Sequence, residues 1–170
     1  LYSYLQKQKY PFEILLVDDG SADTTLKLCQ DFARGKEEVR VLGEPHRGKA
    51  PTVTAGMMAA LGELRLYTDF DQSTPISEVE KLLPFTDKGY DIVIGSREIK
   101  GAKRDREPWY RHLMGRVFNL AVRMFTISGI QDTQCGFKLF TGEATEALFP
   151  KLKIYGGSQE RVDAFTGAFD

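Results

Sequence analysis

The chain has 170 residues, of which 42% are hydrophobic and 28% are charged, and this composition excludes a wholly disordered or fibrous protein. Its net charge of -1 argues against nucleic acid as a partner. Its two cysteines, Cys29 and Cys135, are too few for a disulfide framework or a four-cysteine zinc site, and we expect both to be buried, reduced thiols.

Predicted helices and strands alternate along the chain. In chain order they are a helix at the N-terminus, a strand over 12–17, a helix with Ser21 as candidate N-cap and Gly35 as its end, a strand over 39–42, a helix over 53–61, a strand over 64–68, a helix opened by Thr74-Pro75, and a strand over 91–95. This alternation is typical of an α/β domain with a doubly wound, mostly parallel sheet. Such folds usually open with a strand, so we expect residues 1–170 to be one domain that lacks its first strand and a C-terminal portion.

Acidic residues follow two of the predicted strands. Asp18-Asp19 comes after the first strand and Asp69-Phe70-Asp71 after the third. Ligands of open parallel sheets bind beyond the carboxyl ends of the strands. Two acidic clusters at one edge would repel each other unless a cation or a hydrogen-bond donor lay between them. A divalent ion bound to a diphosphate would meet this need, and hard oxygen ligands favour Mg²⁺ or Mn²⁺ over zinc. The alternative is that each Asp only caps a turn.

Four motifs occur in a fixed order along the chain: 17–21 (VDDGS), 47–49 (RGK), 69–71 (DFD) and 95–97 (GSR). This order resembles the signature of family 2 glycosyltransferases with the GT-A fold. The segment 132–140 (DTQCGFKLF) is similar to the polyprenyl-phosphate sugar synthases, and to their dolichyl-phosphate β-glucosyltransferase branch more than to the mannose branch. The resemblance implies an enzyme, a hexosyltransferase, and it covers nearly the whole chain.

The resemblance also implies a role for each matching residue. Near the nucleotide it places Asp18, Asp19, Ser21, Gly48 and Lys49, with Asp19 as the more direct contact. At the metal and diphosphate it places Asp69 and Asp71. Arg97 and Arg111 resemble the pair that holds the lipid phosphate, although Gly115 stands where the mannose branch has a serine. Asp132 would orient an arginine or the sugar.

A basic amphipathic segment follows the fourth strand. Residues 97–123 contain eight basic and three acidic residues, a net charge of +5. Within 108–130 a helix would be apolar on one half and basic on the other, with no acidic residue, as in helices that lie on a membrane surface. We therefore expect a peripheral protein on the cytoplasmic face of a membrane. A helix packed on the sheet is the alternative.

The predicted reaction is an inverting transfer of a sugar, glucose from UDP-glucose, onto a polyprenyl phosphate such as dolichyl or undecaprenyl phosphate. A phosphate monoester has a second pKa near ~6 and needs no general base at neutral pH. The first alternative is the same fold with GDP-mannose as donor or a saccharide as acceptor. Two further alternatives belong to other classes, a phosphoryl-signalling receiver-like module and a nucleotide-binding module without activity.

Overall fold

Residues 1–96 and 135–152 are described by the computed structural model, and the chain divides into two units. The first unit comprises Leu1–Tyr67 and the chain from Phe140 onward, and the second comprises Thr68–Leu139. The predictions for Arg97, Arg111, Asp132 and the amphipathic helix over 108–130 lie outside the described residues. Among the described residues, none of the helices has the length and apolar character that a membrane span requires.

The first unit contains most of the predicted alternation of helices and strands. Its elements are α1 (Tyr2–Leu5), β1 (Ile14–Asp18), α2 (Thr25–Ala33), β2 (Val39–Gly43), α3 (Lys49–Ala59) and β3 (Leu64–Thr68), whose last residue belongs to the second unit. β1 and β2 pair in parallel, from Ile14 opposite Val39 to Asp18 opposite Gly43. α3 packs closely on β1, because Gly56 leaves room for Val17: a Cβ at position 56 would lie 2.8 Å from the Val17 Cγ2 atom.

A second sheet has the strand order β3-β5-β4, with β4 at Ile92–Ile94 and β5 at Phe137–Thr141. β5 runs antiparallel to β3, since the Gly142 amide donates to the Glu63 carbonyl at 2.7 Å and the Asp69 amide donates to the Gly136 carbonyl at 3.2 Å. No strand is predicted from the sequence at the position of β5. The sheet is therefore less parallel than expected, although the α/β class is confirmed.

Two capping predictions need correction, and the helix predicted over 53–61 lies at Lys49–Ala59. Ser21 is not an N-cap: Thr24 holds that position at the start of α2, and Ser21 instead bonds to Asp18. Pro75 was expected at the first helical position, but it is the N-cap of a 3₁₀ helix over Ile76–Lys81, and the α-helical turn α4 (Leu83–Thr86) follows. The N-cap that was expected at Thr74 thus lies one residue further along the chain.

Each unit has its own buried side chains. In the first unit α5 (Gly142–Leu148) and a 3₁₀ turn over Phe149–Lys151 follow β5. The buried apolar side chains of this unit are Ile14, Cys29, Val39, Met57 and Phe149. In the second unit they are Val79, Leu82, Cys135, Phe137 and Leu139. Both cysteines are free and buried, as predicted.

Candidate functional site

The first group of predicted site residues lies where β1 ends and α3 begins; we call residues 18–21 and 44–49 the β1 loop cluster. Asp18 is buried, with 6% of its surface exposed. Its carboxylate accepts hydrogen bonds from the Ser21 amide at 2.9 Å and from the Ser21 hydroxyl at 2.5 Å. Asp18 therefore closes the turn that follows β1, and Ser21 is its partner there.

Asp19 ties the two loops of the cluster together. Its Oδ1 accepts from the Arg47 amide at 3.0 Å and the Thr52 hydroxyl at 2.8 Å. Its Oδ2 accepts from the Gly48 amide at 3.0 Å and lies 2.9 Å from Nδ1 of His46, which must carry the proton because a carboxylate only accepts. A carboxylate has about four acceptor positions, so these bonds use its full capacity.

The ionisation of Asp19 reflects these contacts. Burial by itself raises the pKa of this carboxyl, but the hydrogen bonds from the Arg47 amide and from the Thr52 and His46 side chains outweigh burial and hold the pKa below its ordinary value of 3.8. The carboxylate is therefore the form that the folded loops stabilise.

Two glycines let the loops of the cluster approach each other. Gly20 has φ +72°, and a Cβ there would lie 2.6 Å from the His46 amide nitrogen. Gly48 is the N-cap of α3 with φ +90° and ψ 173°, a conformation that essentially only glycine adopts. Lys49 follows at the first position of α3, and its Nζ lies 5.9 Å from the centroid of the Tyr67 ring.

The second group of predicted residues forms a tight turn after β3; we call residues 69–73 the β3 acidic turn. The Gln72 amide donates to the Asp69 carbonyl at 3.1 Å, and the Ser73 amide donates to Oδ1 of Asp71 at 2.9 Å. Gln72 has φ +53°, and it is the one residue other than glycine with positive φ in the described part of the chain. Strained backbone of this kind concentrates at functional sites.

The acidic turn exposes its central residues. Asp71 is exposed, and Phe70 between the two acids has 76% of its surface exposed. Asp69 is partly buried and lies against Gly136 at the start of β5. Residues 1–96 and 135–152 contain no group of three or more His, Cys, Asp or Glu side chains placed to hold a metal. Asp69 and Asp71 are the two carboxylates of the acidic turn.

The predicted site residues that the structure describes lie in two groups. The β1 loop cluster holds all five residues assigned to the nucleotide, and the β3 acidic turn holds both residues assigned to the metal. The sequence analysis missed His46 and Thr52, which bond to Asp19, and Gly136, which adjoins Asp69. His46 and Thr52 lie 27 and 33 residues from Asp19, and Gly136 lies farther still from Asp69, so the spacing within each motif could not reveal these contacts.

Comparison with known proteins decides the family. The sequence model of glycosyl transferase family 2 matches residues 1–149. The chain belongs to this family. As a family 2 member it has the GT-A fold, as the ordered motifs predicted.

Curated relatives of the chain share a name that is more specific than the family name. The chain is 36% identical over 164 residues to a dolichyl-phosphate beta-glucosyltransferase of Trichomonas vaginalis, covering 89% of this chain and 49% of the relative. It is 34% identical over 173 residues to the human dolichyl-phosphate beta-glucosyltransferase, covering 89% of this chain and 52% of the relative. The enzyme of that name from Saccharomyces cerevisiae is also 34% identical, over 171 residues, with 88% and 51% covered. The family 2 chain thus spans about half the length of these relatives.

Proposed function

We propose that this chain is part of an inverting glycosyltransferase that moves glucose from UDP-glucose to a polyprenyl phosphate, either dolichyl or undecaprenyl phosphate. The observation that carries the proposal is the β3 acidic turn, Asp69-Phe70-Asp71, in a family 2 chain that is 34–36% identical to dolichyl-phosphate beta-glucosyltransferases. The family match favours this function over a receiver-like module, whose acidic strand ends would look similar.

The donor atoms of the β3 acidic turn suit Mg²⁺ or Mn²⁺. Mg²⁺ is commonly held in proteins by one or two carboxylates together with substrate phosphates, and it rarely has a complete protein cage. A turn that offers Asp69 and Asp71, in a described part of the chain without a three-residue metal cluster, fits that mode of binding. We propose that Asp71, which is the more exposed of the two, is the more direct ligand.

A bound divalent ion supplies positive charge that stabilises a departing nucleoside diphosphate. The chain's own residues bind and orient the substrates. We propose that the β1 loop cluster contacts the nucleotide, and that Asp19 contributes by holding residues 46–48 in place, because its acceptor positions are already used. Lys49, at the start of α3, supplies a positive charge next to this loop.

The acceptor would be activated by position and charge. A phosphate monoester is largely dianionic at neutral pH, so its oxygen attacks the anomeric carbon without a general base. We propose that Arg97 and Arg111 hold this phosphate, since the guanidinium group matches phosphate oxygens in a bidentate way. Asp132 would orient one of these arginines or the sugar. The sequence pattern supports these three roles.

The membrane surface is the proposed location of the acceptor. The net charge of +5 over residues 97–123 would attract the anionic cytoplasmic leaflet, and the apolar half of the helix predicted over 108–130 would enter the headgroup region. We propose that this segment places the transferase at the cytoplasmic face, beside a lipid phosphate.

Transfer of label from UDP-[¹⁴C]glucose into the organic phase, in the presence of dolichyl phosphate and Mn²⁺, tests the proposed function. The expected result is a lipid product that depends on Mn²⁺ and that the Asp71→Asn variant reduces by at least about 100-fold, because removing a group that acts on the leaving charge costs roughly that factor. The measurement is made in parallel with GDP-[¹⁴C]mannose as donor.

The matched control is Asp87→Asn, which removes an exposed carboxylate from the same unit without touching the acidic turn. Its transfer rate should stay within about twofold of the wild type. Transfer from GDP-mannose alone would contradict the proposed donor. Transfer that persists in EDTA and in Asp71→Asn would contradict the proposed metal site.

A further inference from the structure

Gly136 occupies a place where no side chain fits, because the carboxylate of Asp69 already fills it. A Cβ built on Gly136 would overlap the Oδ2 and Cγ atoms of Asp69 and would lie 2.9 Å from Oδ1, whereas real Cβ contacts almost never fall below 3.0 Å. The described glycines with positive φ are Gly20, Gly35, Gly48 and Gly89. Gly136 is not among them, so its backbone conformation does not require glycine, and the need is steric.

We propose that Gly136 is a positioning residue that fixes the carboxylate of Asp69 in the acidic turn. The missing side chain leaves a space in which this carboxylate lies against the start of β5, and the Asp69 amide donates to the Gly136 carbonyl at 3.2 Å. Gly136 thus binds the main chain of Asp69 through a hydrogen bond, and its lack of a side chain leaves room for the Asp69 carboxylate. This inference deepens the proposed metal site and rests on the proposed function for its catalytic meaning.

The start of β5 cannot move away to make room for a side chain. Cys135 and Phe137 on either side of Gly136 are 4% and 1% exposed. The Phe137 carbonyl accepts from the Gly95 amide at 2.9 Å, and a Cβ on Gly95 would itself lie 3.2 Å from the Cys135 sulfur. Because this backbone is packed tightly on both sides, a methyl group at position 136 would displace the Asp69 carboxylate.

Displacement of the carboxylate should weaken metal binding. Groups that orient a metal ligand typically contribute about 10- to 100-fold to metal affinity. The Gly136→Ala variant should therefore bind Mn²⁺ in the presence of UDP about 10- to 100-fold more weakly than the wild type, as measured by electron paramagnetic resonance titration. The control is Gly142→Ala, where a Cβ would meet its nearest atoms at 3.5 Å, an ordinary contact, and where affinity should stay within about twofold.

A thermal double-mutant cycle tests the steric relation without any metal. Gly136→Ala should lower the melting temperature of the wild type by about 3–8 °C, because overpacking a tight site is destabilising. In an Asp69→Ala background the carboxylate is gone, so the same substitution should cost less than half of that shift. If Gly136→Ala fails to fold, the double variant Asp69→Ala/Gly136→Ala should fold again.

The outcomes separate this inference from the proposed function. A wild type that binds no Mn²⁺ with UDP would contradict the proposed function, while the thermal cycle would still decide whether Gly136 accommodates Asp69. Equal Mn²⁺ affinity of the wild type and Gly136→Ala would overturn the positioning role. Equal thermal shifts in the two backgrounds, or a double variant that does not fold although Asp69→Ala does, would overturn the steric relation.

Discussion

Replacing Asp19 by Ala should destabilise the protein, because it removes the acceptor of four hydrogen bonds. A hydrogen bond to a charged group contributes about 1.5–3 kcal/mol when buried, and much less when exposed. The His46 side chain is 76% exposed and adds little, whereas the bonds from the Gly48 amide and the Thr52 hydroxyl are partly buried. We expect a loss of about 2–3 kcal/mol in the free energy of unfolding.

Asp19→Asn is the milder variant of the same test. Its carbonyl oxygen still accepts two of the four hydrogen bonds, but its amide group faces donors that it cannot accept from, so the expected loss is about 1–2 kcal/mol. Urea unfolding at pH 7 measures both variants. Asp87→Asn, on an exposed position, is the control and should differ from the wild type by less than about 0.5 kcal/mol.

The difference in stability between the wild type and Asp19→Asn should depend on pH. The folded pKa of Asp19 lies below its ordinary value of 3.8, so the carboxylate stabilises the fold above that value, and its contribution is lost as the pH falls through the folded pKa. The difference between wild type and Asp19→Asn should therefore be full at pH 7 and should shrink steadily at pH values below 3.8. An Asp19→Ala protein whose free energy of unfolding at pH 7 equals that of the wild type would refute this reasoning. So would a difference between wild type and Asp19→Asn that does not change with pH.

Two further predictions concern the same unit. Gly20→Ala should lower the free energy of unfolding by about 2–4 kcal/mol, and Gly35→Ala by about 1 kcal/mol. Both glycines have a positive φ (+72° and +73°), but only at Gly20 would a Cβ clash with backbone atoms. Equal losses of the two variants in urea unfolding would contradict this. Burial raises the pKa of the Cys29 thiol, and the nearby charge of Asp18 raises it further. Cys29 should therefore react several-fold more slowly with Ellman's reagent in the native protein than in the urea-unfolded protein. Equal rates would contradict this.

Strands were predicted from sequence better than helix boundaries. The apolar runs before Asp18, around Val41 and before Asp69 are short and bounded by turn residues, and each forms a strand within two residues of its predicted limits. The helix predicted over 53–61 begins at Lys49, because its start depends on the Gly48 N-cap, which has φ +90° and donates its amide to the distant Asp19 carboxylate.

The elements that sequence analysis missed depend on contacts between distant residues. β5 alternates buried Phe137 and Leu139 with the less buried Lys138 and Phe140, a period-two pattern that favours a strand but that is short and lies within the segment treated as a family motif. The Thr74-Pro75 pair and Glu78 in the first turn of the 3₁₀ helix also favour an α-helix, so local residues do not distinguish the two.

In the candidate site, the position of the acidic residues at strand ends was predictable from the sequence, but their contacts were not. The sequence places Asp19 and Asp69 at strand ends, and both lie there. It does not show that Asp19 bonds to His46 and Thr52, 27 and 33 residues away, or that Gly136 adjoins Asp69. Such pairs become visible only when the chain is folded, and they show which side chains hold a loop in place.

Thermal unfolding with a panel of nucleoside diphosphates, each with and without Mn²⁺, tests most directly whether the β3 acidic turn binds the metal and diphosphate of a sugar nucleotide. At 100 times its dissociation constant, a ligand of the folded state adds about 2.7 kcal/mol, which corresponds to roughly 5–11 °C for a chain of this size. UDP should give such a shift only with Mn²⁺, and Asp71→Asn should abolish it. A shift by UDP that needs no metal and persists in Asp71→Asn would contradict the proposed metal and diphosphate site.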